Sequence, residues 1–275
     1  MQLSLGFSPC PNDTFMFNAL INYKLDKNPF DFNLVIEDVE ELNQRCLNRE
    51  LDICKLSYHA YTYLYKDYQM LNAGSALGRG VGPLLITQMP YNLHDIDNLS
   101  IALPGKYTSA HFLFSTAFPN AANKVFMNFA DIEQAVISGE VDAGVIIHEN
   151  RFTYADKGLL KVIDLGEFWE ARTGLAIPLG GIAIKRELAE SVKNDFDRML
   201  KESVQYAYKY PEDAAEFIST HAQEMDPEVL KKHIEAYVNE YSIDLGNEGK
   251  QAVFGLFREK LNLSSENIEQ LKLFV

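Results

Sequence analysis

Short apolar runs rich in branched side chains alternate, along the first two thirds of this chain, with stretches in which apolar residues recur at i, i+3 and i+4. That alternation predicts buried strands feeding helices. Residues 3–7 read as a strand, and SPCPNDTFMFNAL after them as a polar turn opening a helix, capped by Asn12, Asp13 or Thr14 and facing inward with Phe15, Leu20 and Ile21. Residues 32–38 predict a second strand. VEELNQRCLNRE then carries Val39, Leu42, Cys46 and Leu47 on one helical face, and ELDICKLSYHAY returns to a strand that ends in polar groups.

From Leu99 the same order recurs, as SIALPG (strand), KYTSA (loop), HFLFSTAF and DIEQAVIS (helices), and GEVDAGVIIHE (strand). Glu50-Leu51-Asp52-Ile53 before CKLSY matches Glu140-Val141-Asp142-Ala143 before GVIIH. Strand–loop–helix order alone is common to α/β chains; the repeated E-x-D placement is what argues for a true internal repeat. Two similar half-structures are expected, each presenting a helix start after its first strand and a polar strand end after a later one, so that together they could surround one ligand. The second half ends its run Val145–Ile147 on His148, Glu149, Asn150 and Arg151. Ligands of open α/β sheets bind beyond the carboxyl ends of strands, which places His148 where a substrate would lie.

The remaining segments carry less chemistry. LGRGVGP at residues 77–83 lacks the Lys-Ser/Thr ending of a P-loop and the G-x-G-x-x-G spacing, and it leads into the strand LLIT, so it reads as a tight turn. Pro178 and the paired glycines of RTGLAIPLGGIAIKRE suit a crossing between domains. The expected domains are residues 1–90 with 178–275, completed by the C-terminal helices, and an inserted lobe of residues 91–177. Crossing strands are expected at 84–88 and 181–185. Aromatic residues of the C-terminal helices, such as Tyr206, Phe217, Tyr237 and Phe254, read as core.

Composition narrows the partner. A net charge of −14 without a basic stripe argues against nucleic acid, which draws on clustered Lys and Arg. Cys10, Cys46 and Cys54 are too few and too irregularly spaced for a disulfide framework or a zinc site. No run approaches the roughly 20 apolar residues that span a bilayer, and the N-terminus has no secretory pattern. The expectation is a cytoplasmic protein without a membrane partner. Polar candidates converge from strand ends and helix starts at residues 8–13, 55–58, 106–111 and 148–151. N–H groups at the Thr108–His111 helix start, Lys55 and the nearby hydroxyls suit a small-molecule carboxylate. A hydrolase built on Ser57 and His148 has no G-x-S-x-G elbow, and His148-Glu149 has no histidine four residues on, so no metal is expected.

SPCPNDTF, KLSYHAY, LGRGVGPLL, LPGKYTSA, GEVDAGVIIHENRFTY, PLGGIAIKR and the closing LKLFV together resemble the 1,4-dihydroxy-6-naphthoate synthases of the futalosine route to menaquinone. The resemblance spans most of the chain with its motifs in order. It implies a periplasmic-binding-protein-like (type II) fold, two α/β lobes with a cleft between them. It also implies a carbon–carbon lyase that converts cyclic dehypoxanthine futalosine to the dihydroxynaphthoate without cofactor. Carried over by position, the proton acceptor falls on His148 and the substrate-binding segments on Lys55, Leu56 and Ser57 and on Ser109 and Ala110, with the Thr108 helix start beside them. Ser109 stands where family members can have threonine, which keeps the hydroxyl and loses a methyl. An imidazole, with a reference pKa of about 6.5, suits a base that removes a C–H proton near neutral pH. A chorismate dehydratase of the same pathway and a non-catalytic small-anion binder on the same fold are the competing readings, the latter disfavoured by the missing export signal.

Overall fold

The structure is a computed structural model that describes residues 1–26, 28–222 and 226–275. The chain forms two compact units, Met1–Gly78 with Pro178–Val275, and Arg79–Ile177.

The first unit opens with β1 (Gln2–Phe7), α1 (Pro11–Ile21), β2 (Asp31–Ile36), α2 (Val39–Leu47), β3 (Ile53–Ser57), α3 (Tyr58–Leu64), β4 (Tyr68–Met70) and β5 (Ala76–Gly78). The second contains β6 (Leu84–Thr87), β7 (Ile101–Leu103), α4 (Ser109–Ala117), β8 (Lys124–Phe126), α5 (Ile132–Ser138), β9 (Ala143–Ile146), α6 (Asn150–Thr153), β10 (Leu160–Asp164) and α7 (Leu165–Thr173). The chain returns through β11 (Ile177–Lys185) to α8 (Glu190–Lys209), α9 (Ala215–His221), α10 (Pro227–Tyr237), α11 (Glu240–Ile243), α12 (Gly246–Leu261) and α13 (Ser265–Glu269). Among the described residues no helix is long and apolar enough to cross a membrane.

The repeat expected from E-x-D is present in hydrogen-bond detail. The first sheet runs β2-β1-β3-β11-β4, with β5 on β11, and the second runs β8-β7-β9-β6-β10. In each, three parallel strands are followed by an antiparallel fourth, β11 on β3 and β6 on β9. Leu5 pairs with Ile53 in one sheet as Ile101 pairs with Ala143 in the other. The repeated aspartate locks this register. Asp52 Oδ2 accepts from the Ser4 N–H at 2.9 Å and hydroxyl at 2.8 Å, and the Asp52 N–H donates back to Ser4 Oγ at 2.8 Å. Asp142 and Ser100 repeat all three bonds at 2.8, 2.7 and 3.0 Å.

Each sheet has its own core. Leu3, Leu5, Phe7, Ile53, Ile182 and Ile184 pack with α1 and α8 residues including Phe17, Leu20, Phe196 and Leu200. Leu84, Ile86, Ala102 and Ile146 pack with Ile132 and Val136 of α5. A Cβ at Gly144 would lie 2.4 Å from Ile132 Cγ2, so a glycine lets that helix sit down on the strand.

Several sequence expectations are corrected. Strand β6 pairs with β9 and β10, which puts the first boundary after Gly78 and not after residue 90; the expected crossing strand is an interior strand of the second sheet. The cap of α1 is Cys10 without a side-chain bond, and Asn12 and Asp13 lie inside the first turn, engaged elsewhere. Asp38 ends no strand; it caps α2 in a capping box with Glu41. The KLSYHAY segment leaves its strand at Ser57 and turns at once into α3.

Candidate active site

In the first unit, parallel neighbours β1 and β3 deliver Ser8–Asp13 and Lys55–Ser57 to the same, carboxyl, end of the sheet. Lys55 is 5% exposed and its Nζ donates to Asp13 Oδ1 at 2.6 Å. Asp13, fully buried, also accepts from the Ser8 hydroxyl at 2.7 Å, the Ser8 N–H at 3.1 Å and Asn12 Nδ2 at 2.9 Å. Asn12 in turn accepts from His233 Nε2 of α10 at 2.9 Å, which fixes the proton on that nitrogen. The lysine therefore enters the site as half of a buried pair. Leu56 is wholly buried, and Ser57 is bracketed by Asn43 of α2, whose Oδ1 accepts from the Ser57 N–H at 2.9 Å while its Nδ2 donates to Ser57 Oγ at 3.1 Å. Cys54, one position back, is buried, which pushes its thiol up and removes it as a nucleophile.

In the second unit, β7 and β9 are likewise parallel neighbours, so the loop after β7 and the turn after β9 leave one end of that sheet. Thr108 is the cap of α4: its Oγ1 donates to the Gly105 carbonyl at 2.9 Å and accepts from the His111 N–H at 3.2 Å. Its hydroxyl thus shapes the loop, and Ser109 and Ala110, each 3% exposed, begin the helix. His111 Nδ1 donates to the Lys106 carbonyl at 2.7 Å, closing the loop. His148 follows β9 in the left-handed backbone region at φ 57°, its ring edge-to-face with Phe129 at 4.9 Å. The strand itself stops at Ile146, a residue sooner than expected: in the antiparallel register Ile147 would face Pro83, which has no N–H to give the ladder.

The repeat places these groups in an instructive register. Ile53 corresponds to Ala143, and five residues on, Tyr58 corresponds to His148. Tyr58 is fully buried, its hydroxyl is 2.7 Å from Ser75 Oγ, and burial pushes its phenol well up. Only the second copy carries an imidazole at this place. Ser57 and Ser109 are not counterparts: one closes the third strand of its copy, the other opens the first helix of its own.

Asn43 and His233 are missing from the sequence reading, while Asp13 and Arg151 stand within its polar segments but without the partners they have here. For His233 a signal existed, since it interrupts the apolar face Leu230, Ile234 and Tyr237 of α10. Asn43 gave none.

The chain matches the family model for menaquinone biosynthesis over residues 3–260. The chain belongs to the menaquinone-biosynthesis family. Two curated relatives, both named 1,4-dihydroxy-6-naphtoate synthase, support this: one from Thermus thermophilus is 46% identical over 94% of this chain and 93% of its own, and one from Streptomyces coelicolor 40% identical over 92% and 91%. A crystal structure of a protein from Archaeoglobus fulgidus, 35% identical, superposes with a TM-score of 0.89 over 96% of this chain and 98% of that one. The alkanesulfonate-binding protein of Xanthomonas axonopodis pv. citri, bound to MOPS, is 14% identical with a TM-score of 0.67 over 96% and 94%. That likeness shows the fold alone, and the fold of this family member is periplasmic-binding-protein-like, α/β with two sheets.

Proposed function

We propose that this family member is a lyase that converts cyclic dehypoxanthine futalosine to 1,4-dihydroxy-6-naphthoate, with His148 as proton acceptor. The observation that carries the reading is the identity to two synthases across more than nine tenths of the chain. The site chemistry agrees with it. A C–H proton passes to the imidazole, and the electron pair left on carbon drives release of the sugar-derived part and formation of the aromatic ring. Such a step asks for a neutral base on a fixed backbone, and His148 sits in a defined turn against Phe129. Lys55, Leu56 and Ser57 on one unit and Thr108, Ser109 and Ala110 on the other are the proposed substrate-binding segments; the N–H groups opening α4 suit the substrate carboxylate.

The test is His148→Asn. Asparagine keeps a polar side chain and tolerates a positive φ, but it cannot hold a proton, so turnover of the cyclic futalosine derivative should fall about 100- to 10,000-fold. Circular dichroism and substrate affinity should stay near wild type. Turnover within a few-fold of wild type would mean the base lies elsewhere. Parallel incubation with chorismate, followed by mass spectrometry, should yield no dehydrated product.

A further inference from the structure

His148 holds a left-handed backbone conformation that is uncommon for an L-residue and persists only where the surroundings over-determine it. The turn that carries it is tied down immediately downstream. The Arg151 guanidinium donates through Nη1 to the Gly82 carbonyl, and through Nη2 to the Gly80 carbonyl at 3.0 Å and to Asp164 Oδ2 at 3.0 Å. Asp164 is itself immobilised, its Oδ1 accepting from the Gly166 N–H at 2.8 Å and the Glu167 N–H at 3.1 Å at the start of α7. The glycine loop is pressed onto that same helix start, for a Cβ at Gly82 would lie 2.3 Å from Gly166 Cα. Beside Arg151, Asn150 Nδ2 donates to Glu133 Oε2 of α5 at 2.6 Å, and Lys157 reaches the same oxygen at 2.6 Å.

We propose that Arg151 is a positioning residue for the reaction: it ties the turn that carries His148 to the loop of residues 80–82 and to Asp164, and so aims the imidazole without touching substrate. The inference rests on the reading of His148 as the proton acceptor. It also assigns the LGRGVGP motif a task, since its carbonyls at residues 80 and 82 receive this fork and are not a phosphate cradle. A lysine cannot reproduce the grip, because a single ammonium lacks the planar fork that meets two carbonyls and a carboxylate at once.

The experiment is a double-mutant cycle of Arg151→Lys and His148→Asn on the full chain, assayed with the cyclic futalosine derivative and scaled to folded protein. Arg151→Lys alone should lower kcat about 10- to 100-fold, the usual consequence of a misaimed reacting group, with KM within about twofold. The double variant should be no slower than His148→Asn, because a residue that acts through the imidazole has nothing left to aim. Losses that multiply in the double variant, or an Arg151→Lys enzyme with wild-type kcat per folded molecule, would overturn the inference and leave the base reading standing. Full turnover by His148→Asn would overturn both. Should Arg151→Lys not fold, Asn150→Ala cuts the neighbouring tether of the turn and is put through the same cycle, with the same pattern required.

Discussion

Lys55 and Asp13 are buried together, and a charge left alone in such a place is more costly than the pair is favourable. Lys55→Met should therefore destabilise the protein by about 3–5 kcal/mol, the range for stripping one partner from a buried ion pair. Adding Asp13→Asn should recover part of that loss, since an amide carries no charge and can still accept from Ser8. Urea unfolding of the wild type and the two variants measures it, and equal midpoints for single and double variants would dismiss the pair as the cause. The sequence marked Lys55 as a cation for a ligand but not the aspartate that neutralises it, because Asp13 in PCPNDT looked like an ordinary helix cap. Burial and partner choice depend on which strands become neighbours, and that is fixed far along the chain. The left-handed turn at His148 was equally hidden: nothing in VIIHEN announces a positive φ. Its place beyond a strand end was legible, because the apolar run before it is bounded and short.

Among the secondary-structure elements, the repeated Ser–Asp lock has a pH signature. Burial pushes the Asp52 carboxyl up, but hydrogen bonds from the Ser4 N–H, Lys185 and the Ser4 hydroxyl outweigh it and leave the group below the usual carboxylate range. At Asp142 the Ser100 hydroxyl and N–H act with little burial against them, and the shift is again downward. A carboxylate that is more acidic folded than unfolded adds stability above its unfolded value of about 3.9, and that stability is lost as pH falls through the folded value. Asp52→Asn and Asp142→Asn should thus melt below wild type at neutral pH, with the gap closing as the solution is taken below about pH 4. A thermal-melt series checks this; a gap constant with pH would mean the aspartates act by packing alone. The lock also explains why the elements were readable at all. Both halves were recognisable from E-x-D because the aspartate locks the strand pairing, whereas α3 was overlooked since SYHAY shows no amphipathic stripe and its N-cap residue, Ser57, makes no capping bond; its residues from Tyr58 to Thr62 are all buried.

For the whole molecule, the two sheets share one plan, and each takes its antiparallel fourth strand from a segment outside its own βαβαβ run: β6 comes before that run in the second sheet, and β11 comes long after it in the first. The sequence placed the second crossing by the Pro178 and glycine signal but set the first at residues 84–88 and so assigned β6 to the wrong unit, since a four-residue apolar strand carries no information about which sheet will accept it. That arrangement has a consequence for how the protein is made. Every strand of the second sheet has been synthesised once residue 164 has left the ribosome, while β1 to β3 still lack the neighbour that covers their open edge until residues 177–185 follow. Birth order and completion order are therefore reversed: the amino-terminal segment, which emerges first, must wait with an unpaired strand edge while the middle of the chain closes up. Ribosome-bound chains stalled about 40 residues beyond Ile177, enough to clear the exit tunnel at the roughly 3.3 Å per residue of extended chain, should already protect residues 79–177 from protease. The same chains should leave residues 1–78 open to cleavage until the stall is moved about 40 residues past α8, so that β11 and α8 have left the tunnel.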